Sequence, residues 1–238
     1  MLKQSLGPMN QQLALAIQLN DEATLADFCW NNNVMLHQQL QNILNGCGER
    51  MLYLWGNSGS GKSHLLQACC QAVNSSDSAI YLPLHSLQQW GPQVIDGIGG
   101  QTLIGIDDID AIAADKAWEE AVFHLYNRAR DNDETILIMT GKTSPAKLPL
   151  HLADLRSRLG WGLVIQLNEL NDEDKIKTLR IRANKRGFDL PSSVGRFLLN
   201  RCARNMHDLL ILLNRLDEAS LIAQRKITIP FVKNILGI

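Results

Sequence analysis

No stretch of this 238-residue chain approaches the roughly 18 consecutive apolar residues of a membrane-spanning helix. There is no CxxC pair, and the five cysteines (Cys29, Cys47, Cys69, Cys70 and Cys202) are odd in number and scattered. That pattern argues against a disulfide framework or a cysteine zinc site and for a reducing compartment. The N-terminus has no basic region followed by an apolar run and a cleavage site, so no secretory leader is expected and the cytoplasm is the expected location. Net charge is only −1, which argues against a chain-wide field for nucleic acid. Internal repeats and low-complexity tracts are absent.

The charge is nevertheless uneven. From residue 171 onward 13 Lys and Arg face 7 Asp and Glu, a net +6, while residues 1–170 carry −7. The C-terminal part is a separate electrostatic unit, suited either to solvated basic helix faces or to an approach to DNA or an acidic partner.

The most informative stretch is Gly56-Asn57-Ser58-Gly59-Ser60-Gly61-Lys62-Ser63. It fits G-x-x-x-x-G-K-[ST], the phosphate-binding P-loop. The apolar run 51–55 before it has strand length. Residues 63–73 after it read as a helix, with Leu65, Leu66, Cys69, Ala72 and Val73 at helical spacing. Small residues let successive N–H groups point at phosphate oxygens, and the helix N-terminus adds partial positive charge. Lys62 then reaches the β- and γ-phosphates and the Ser63 hydroxyl sits on Mg²⁺.

A second motif supports the first. Leu103 to Ile106 is an apolar strand running into Asp107-Asp108, the Walker B pattern. Asp107 can hold Mg²⁺ beside Ser63, and Asp108 is placed to orient an attacking water. Further strands are expected at 79–82, 135–140 and 163–167, with Thr140-Gly141-Lys142 at a strand end beside the phosphates. Helices are expected over 25–45, through Leu87, Trp90, Val94 and Ile95, and over 116–130. From residue 171 the pattern is helices only, over 175–186, 191–203, 206–224 and from 228. The third of these carries Leu209, Leu212, Leu213, Leu216, Ala219 and Leu221 on its apolar side. Phe28 and Trp30 either flank a nucleotide base or pack in the core. Gln12-Leu13-Ala14-Leu15-Ala16-Ile17 suits either an extended peptide docking in a groove or a terminal helical turn. Arg156 and Arg158, shortly before the last strand, are candidates for a cation offered to a neighbour's γ-phosphate.

Five strands alternating with helices, then a helical lid, resembles the AAA+ ATPases. Within that class the chain is similar to the DnaA-related proteins and most specifically to the Hda family. The resemblance rests on residues 57–66, on Ile106-Asp107-Asp108-Ile109, on Leu155-Arg156-Ser157-Arg158-Leu159-Gly160-Trp161-Gly162, and above all on the tail 219–233. It implies an α/β P-loop AAA+ core at 25–170 with a five-stranded parallel sheet of order 5-1-4-3-2, an all-helical lid at 171–238, and an N-terminal peptide and linker at 1–24. It places the sliding-clamp-binding peptide (for the DNA polymerase III beta subunit) on Gln12, Leu13, Leu15 and Ile17, and the arginine finger, acting in trans, on Arg158 but not Arg156.

The nucleotide-site residues implied are Gly56 to Ser63, His64, Asp107, Asp108, Thr140 and His207, together with Phe28 and Trp30. The cofactor expected is ADP or another nucleoside diphosphate, with ATP as the alternative, and Mg²⁺ held by Ser63 and Asp107. The partners expected are the clamp and DnaA, with DNA approached through the loaded clamp and self-association left open. Two positions depart from the initiator pattern. Lys142 stands where an acid is usual, and His207 where the lid arginine senses phosphate; histidine is the weaker phosphate contact. Asp108 is also shorter than the usual glutamate. Hydrolysis by the chain itself is therefore not expected, and a structural diphosphate is. Ending at Ile238, straight after the lid, the chain is expected to regulate initiation rather than to bind an origin. A self-acting ATPase of the helicase-loader type and a passive clamp-binding adaptor remain the alternatives.

Overall fold

The computed structural model describes residues 23–73 and 78–238. Five strands, β1 (Met51–Trp55), β2 (Ala79–Pro83), β3 (Leu103–Asp107), β4 (Ile136–Gly141) and β5 (Leu163–Gln166), form one sheet of order β2-β3-β4-β1-β5. Every pairing is parallel, with Leu54 beside Thr140 and Ile106 beside Met139. Read from the other edge, this is the expected order 5-1-4-3-2. The register matters for function: it brings the carboxyl ends of β1, β3 and β4 to one edge of the sheet, where open α/β sheets bind ligands.

The central strands are apolar up to Asp107 and Thr140 at their carboxyl ends, because helices cover both faces. Alternation along β1 shows the two sides. Met51 and Tyr53 join one cluster with Ile104, Ile106, Trp118, Leu125 and Leu155, under α4 (Lys116–Asp131) and α5 (Ala153–Leu159). Leu52 and Leu54 join the other with Leu36, Leu40, Leu65 and Leu66, under α1 (Val34–Leu44) and α2 (Lys62–Ala72). A short α3 (Leu84–Leu87) follows β2. The last four helices, α6 (Asp172–Lys185), α7 (Ser192–Arg201), α8 (Met206–Ala223) and α9 (Ile229–Leu236), pack around their own core of Leu179, Leu190, Leu198, Leu209, Leu213 and Val232.

Several sequence expectations need correction. The helix expected over 25–45 is broken: Leu25–Asp27 is a single 3₁₀ turn and α1 begins only at Val34. The run Asn31-Asn32-Asn33 is the cause, since the Asn33 side chain accepts from Asn168 N at 3.1 Å instead of capping its own helix. The helix expected through Leu87 to Ile95 breaks at Gly91, whose φ of 81° is left-handed, and at Pro92, leaving two 3₁₀ turns. α6 starts at Asp172, capped by Asn171, whose side chain accepts from Asp174 N at 2.8 Å. Leu221 is 73% exposed rather than on the apolar side of α8. It lies about 140° around the helix from Leu216 and about 100° from the middle of the buried stripe. α5 was not anticipated as a helix.

Close approach of backbones fixes the β1–β5 edge. A Cβ at Gly162 would stand 2.0 Å from the Met51 carbonyl oxygen, whereas one at Gly100 would meet nothing within 4 Å. Gly162→Ala is expected to lower stability by about 1–3 kcal/mol through overpacking. Gly100→Ala is expected to stay within about 0.5 kcal/mol. Urea unfolding of the two variants side by side checks both.

Candidate nucleotide site

The P-loop leaves β1 at the middle of the sheet edge. Gly56 N donates to Gly141 O at 3.2 Å, and a Cβ on Gly56 would lie 2.5 Å from Leu167 O. Gly59 and Gly61 have φ of 82° and 95°, the left-handed region that favours glycine. Their missing side chains also make room. A Cβ at Gly61 would press on the Phe28 ring at 3.1 Å, and one at Gly59 on Asn205 Cβ at 3.3 Å. The loop is thus closed in by the segment before α1 on one side and by the start of α8 on the other. Between them lies a cavity of about 340 Å³. It is lined by Ser58 to His64 of the loop, by Asp27 and Phe28, by Asp108 and Lys142 from the sheet edge, and by Arg182, Met206 and His207 from the lid.

Charge is concentrated at the sheet edge. Lys62 is buried, and its Nζ donates to the carbonyls of Gly56 at 2.9 Å and Asn57 at 3.0 Å. Burial pushes its pKa down, and the charges of Asp108, Asp107 and Asp110 push it back up. Asp107 is 4% exposed. One of its oxygens accepts from the Thr140 hydroxyl and the other from Tyr81 Oη at 2.7 Å. Asp108 adopts a left-handed conformation, with φ 58°, and its N–H donates to Thr140 Oγ1 at 3.0 Å. Its carboxyl is pushed up, first by burial and then by the neighbouring Asp107 charge. Lys142 N donates to Asp110 Oδ2 at 2.6 Å, which fixes the end of β4 against the turn after β3.

These residues fit a bound phosphate chain. Two left-handed glycines and the α2 N-terminus turn N–H groups toward the cavity. Ser60 Oγ is buried with no hydrogen-bond partner among the described residues. No group of three potential metal ligands occurs among them, so Mg²⁺ would sit here by sharing ligands with phosphate oxygens, with Ser63 and Asp107 nearest in role.

Of the residues singled out from sequence, Phe28, Ser58 to His64, Asp108 and His207 share the one cavity. Gly56, Asn57, Asp107 and Thr140 stand behind it as scaffold. Trp30 is elsewhere: it stacks on His37 at 4.2 Å and donates to Leu25 O, behind Phe28. Arg158, in the last turn of α5, does not line the cavity. Its guanidinium lies 4.1 Å over the Trp161 ring, with Nη1 buried and without a hydrogen-bond partner among the described residues. Arg156 is exposed. Gln12, Leu13, Leu15 and Ile17 fall outside the described residues.

Sequence reading missed a strap between core and lid. Asp27, with a side chain 4% exposed, receives Lys185 Nζ of α6 at 2.5 Å and Thr24 Oγ1 at 2.7 Å. Asn31 Nδ2 donates to Asp174 Oδ1 at 2.5 Å, and His64 stacks on Phe28 at 6.0 Å with Arg182 Nη2 3.3 Å from its ring nitrogens. The available signal was the polar run 31–33 inside an otherwise apolar approach. Burial raises the Asp27 carboxyl, but the Lys185 and Thr24 hydrogen bonds and the Lys185 and Arg182 charges outweigh it and hold the pKa below its ordinary 3.8. A depressed carboxylate stabilises the fold above its unfolded value and loses that contribution as pH falls through its folded value. Asp27→Asn is therefore expected to be less stable than wild type at neutral pH. The gap should close below pH 3.8, which denaturation across a pH series measures.

Comparison with known proteins agrees with this architecture. Residues 172–236 match the model of the Hda lid domain and residues 99–166 that of the bacterial DnaA ATPase domain. Domain III of the Thermotoga maritima replication initiation protein DnaA superposes with a TM-score of 0.79 at 19% identity, over 92% of this chain and 98% of that one. AMPPCP-bound DnaA from Aquifex aeolicus gives 0.66 at 20% identity, over 82% and 65%. The Thermotoga maritima RuvB Holliday junction branch migration motor gives 0.64 at 16%, over 90% and 71%. No helix among the described residues is long and apolar enough to cross a membrane. A segment matching the DnaA ATPase domain thus runs into one matching the Hda lid domain, on the AAA+ fold that the chain shares with domain III of DnaA.

Proposed function

We propose that this chain is a negative regulator of chromosomal replication initiation that acts on DnaA while holding a nucleotide of its own. A nucleoside diphosphate, ADP as the first candidate, occupies the cavity between P-loop and lid, with Mg²⁺ on its phosphates. Residues 12–17 dock in extended form on the sliding clamp. Arg158 is then offered to the ATP held by DnaA.

The observation that carries this reading is the location of Arg158. A cation at the family's finger position that lies outside its own nucleotide cavity supports a role on a neighbour's phosphate. The likeness to DnaA in an AMPPCP-bound state supports a nucleotide in the cavity. Lys142 and His207, which both line it, and the short Asp108 at the water-orienting position argue for a held nucleotide over a hydrolysed one. In the proposed reaction a water attacks the γ-phosphate on DnaA, and negative charge spreads over the transferring oxygens. The Arg158 guanidinium neutralises that charge; such fingers contribute about 10³–10⁵ in rate in well-studied cases. Every bond change occurs on the partner's ATP.

The test is hydrolysis of DnaA-bound ATP with this protein, DNA-loaded clamp and ADP present, each then omitted in turn. Acceleration is expected only with all of them, and Arg158→Ala is expected to lose about 10³-fold or more of it. Deleting residues 12–17 should abolish acceleration on loaded clamp while leaving nucleotide binding intact. Acceleration that survives in Arg158→Ala at the wild-type level would falsify the finger assignment. Steady ATP turnover by this chain alone, dependent on Lys62, would establish the self-acting ATPase instead.

A further inference from the structure

α5 is seven residues long, too short to persist on its own backbone bonds. Its N-cap, Leu152, supplies no side-chain cap. The N–H groups at its start go to another helix. Leu152 N donates to Glu119 Oε2 at 2.7 Å, and His151 N to Glu119 Oε1 at 3.2 Å. Glu119 lies in the first turn of α4 and is fully buried, at 0% exposure. Its Oε1 also accepts from Ala114 N at 2.9 Å. Ala114 has a left-handed φ of 72° and belongs to the turn that follows Asp108. One carboxylate therefore ties the turn behind the nucleotide cavity to the root of the helix that carries Arg158.

We infer that Glu119 is a positioning residue for Arg158, resting on the reading that Arg158 acts in trans. Three donors from two separate loops converge on it, a set that a carboxylate satisfies with two acceptor oxygens and an amide only in part. In Glu119→Gln an NH₂ group would face a buried backbone N–H, and that segment must move. α5 spans about 10 Å, so tilt at Leu152 is carried to Arg158 near its far end. There the guanidinium stacks on Trp161, and its Nη1 has no hydrogen-bond partner among the described residues. Displacing a charge-stabilising group by about 1 Å costs on the order of 10²-fold in rate.

The test uses the full-length protein with loaded clamp, ADP and ATP-bound DnaA. Glu119→Gln is expected to lower the maximal acceleration by about 10–100-fold. The concentration giving half-maximal effect should stay unchanged, because docking is elsewhere. Hydrogen exchange should speed up across 151–159, and adding Arg158→Ala should cost no more than Arg158→Ala alone. Should Glu119→Gln fail to fold, Leu152→Pro carries the test: a φ of −79° already suits proline, and the change deletes one donor. The same fall in the maximum is expected. Wild-type acceleration by the folded variant, with Arg158→Ala inactive, would overturn the role of Glu119 and leave the finger standing. A change in the half-maximal concentration alone would make Glu119 a docking determinant and overturn the inference. Wild-type acceleration by Arg158→Ala would remove the finger itself, and this inference with it.

Discussion

Lys62 sits buried at the carboxyl edge of a parallel sheet, with the charges of Asp107, Asp108 and Asp110 around it. Burial pushes the Lys62 ammonium down and the neighbouring carboxylates partly offset it, while Lys62 in turn opposes the upward push on Asp108. The arrangement needs β1, β3 and β4 side by side and in parallel, because Lys62 follows the first and the acids follow the second. Thr140, from the third, binds both Asp107 and the backbone of Asp108. Sheet order, P-loop conformation and the left-handed turn at Asp108 together bring these charges to one place. A phosphate chain placed against Lys62 enters the same balance.

The cavity is a joint product of core and lid. The sheet edge supplies the floor, but Arg182, Met206 and His207 come from helices with a separate apolar core. What joins the two is the strap before α1, in which Asp27 reaches Lys185, Asn31 reaches Asp174 and Phe28 lies against Gly61. The strap directly follows residues 1–22. A clamp-docking peptide in that segment would therefore be attached to the element that also closes the nucleotide cavity.

On the other side of the sheet the turn after Asp108 continues into α4, and Glu119 carries its position to α5. The nucleotide site and Arg158 do not touch, yet they share this buried carboxylate. Such a connection fixes the place of the Arg158 helix relative to the core.

The P-loop, the paired acids of β3 and the run of C-terminal helices were legible in the sequence, because each depends on short-range pattern: glycine spacing, apolar runs and 3.6-residue periodicity. The strand order was implied only by the resemblance to AAA+ proteins. The breaks at 28–33 and at Gly91 were not legible, since they arise where Asn33 bonds Asn168 and where Gly91 turns left-handed, outside any local period. Trp30 and Phe28 looked equivalent in sequence, and folding turned one onto His37 and the other onto the P-loop. Glu119 read as one more acid on the first turn of a helix. Local chemistry thus set which groups can meet a phosphate. Which charges are buried, and which loops they join, was decided by contacts between residues far apart in the chain, where desolvation makes each unmatched polar atom costly.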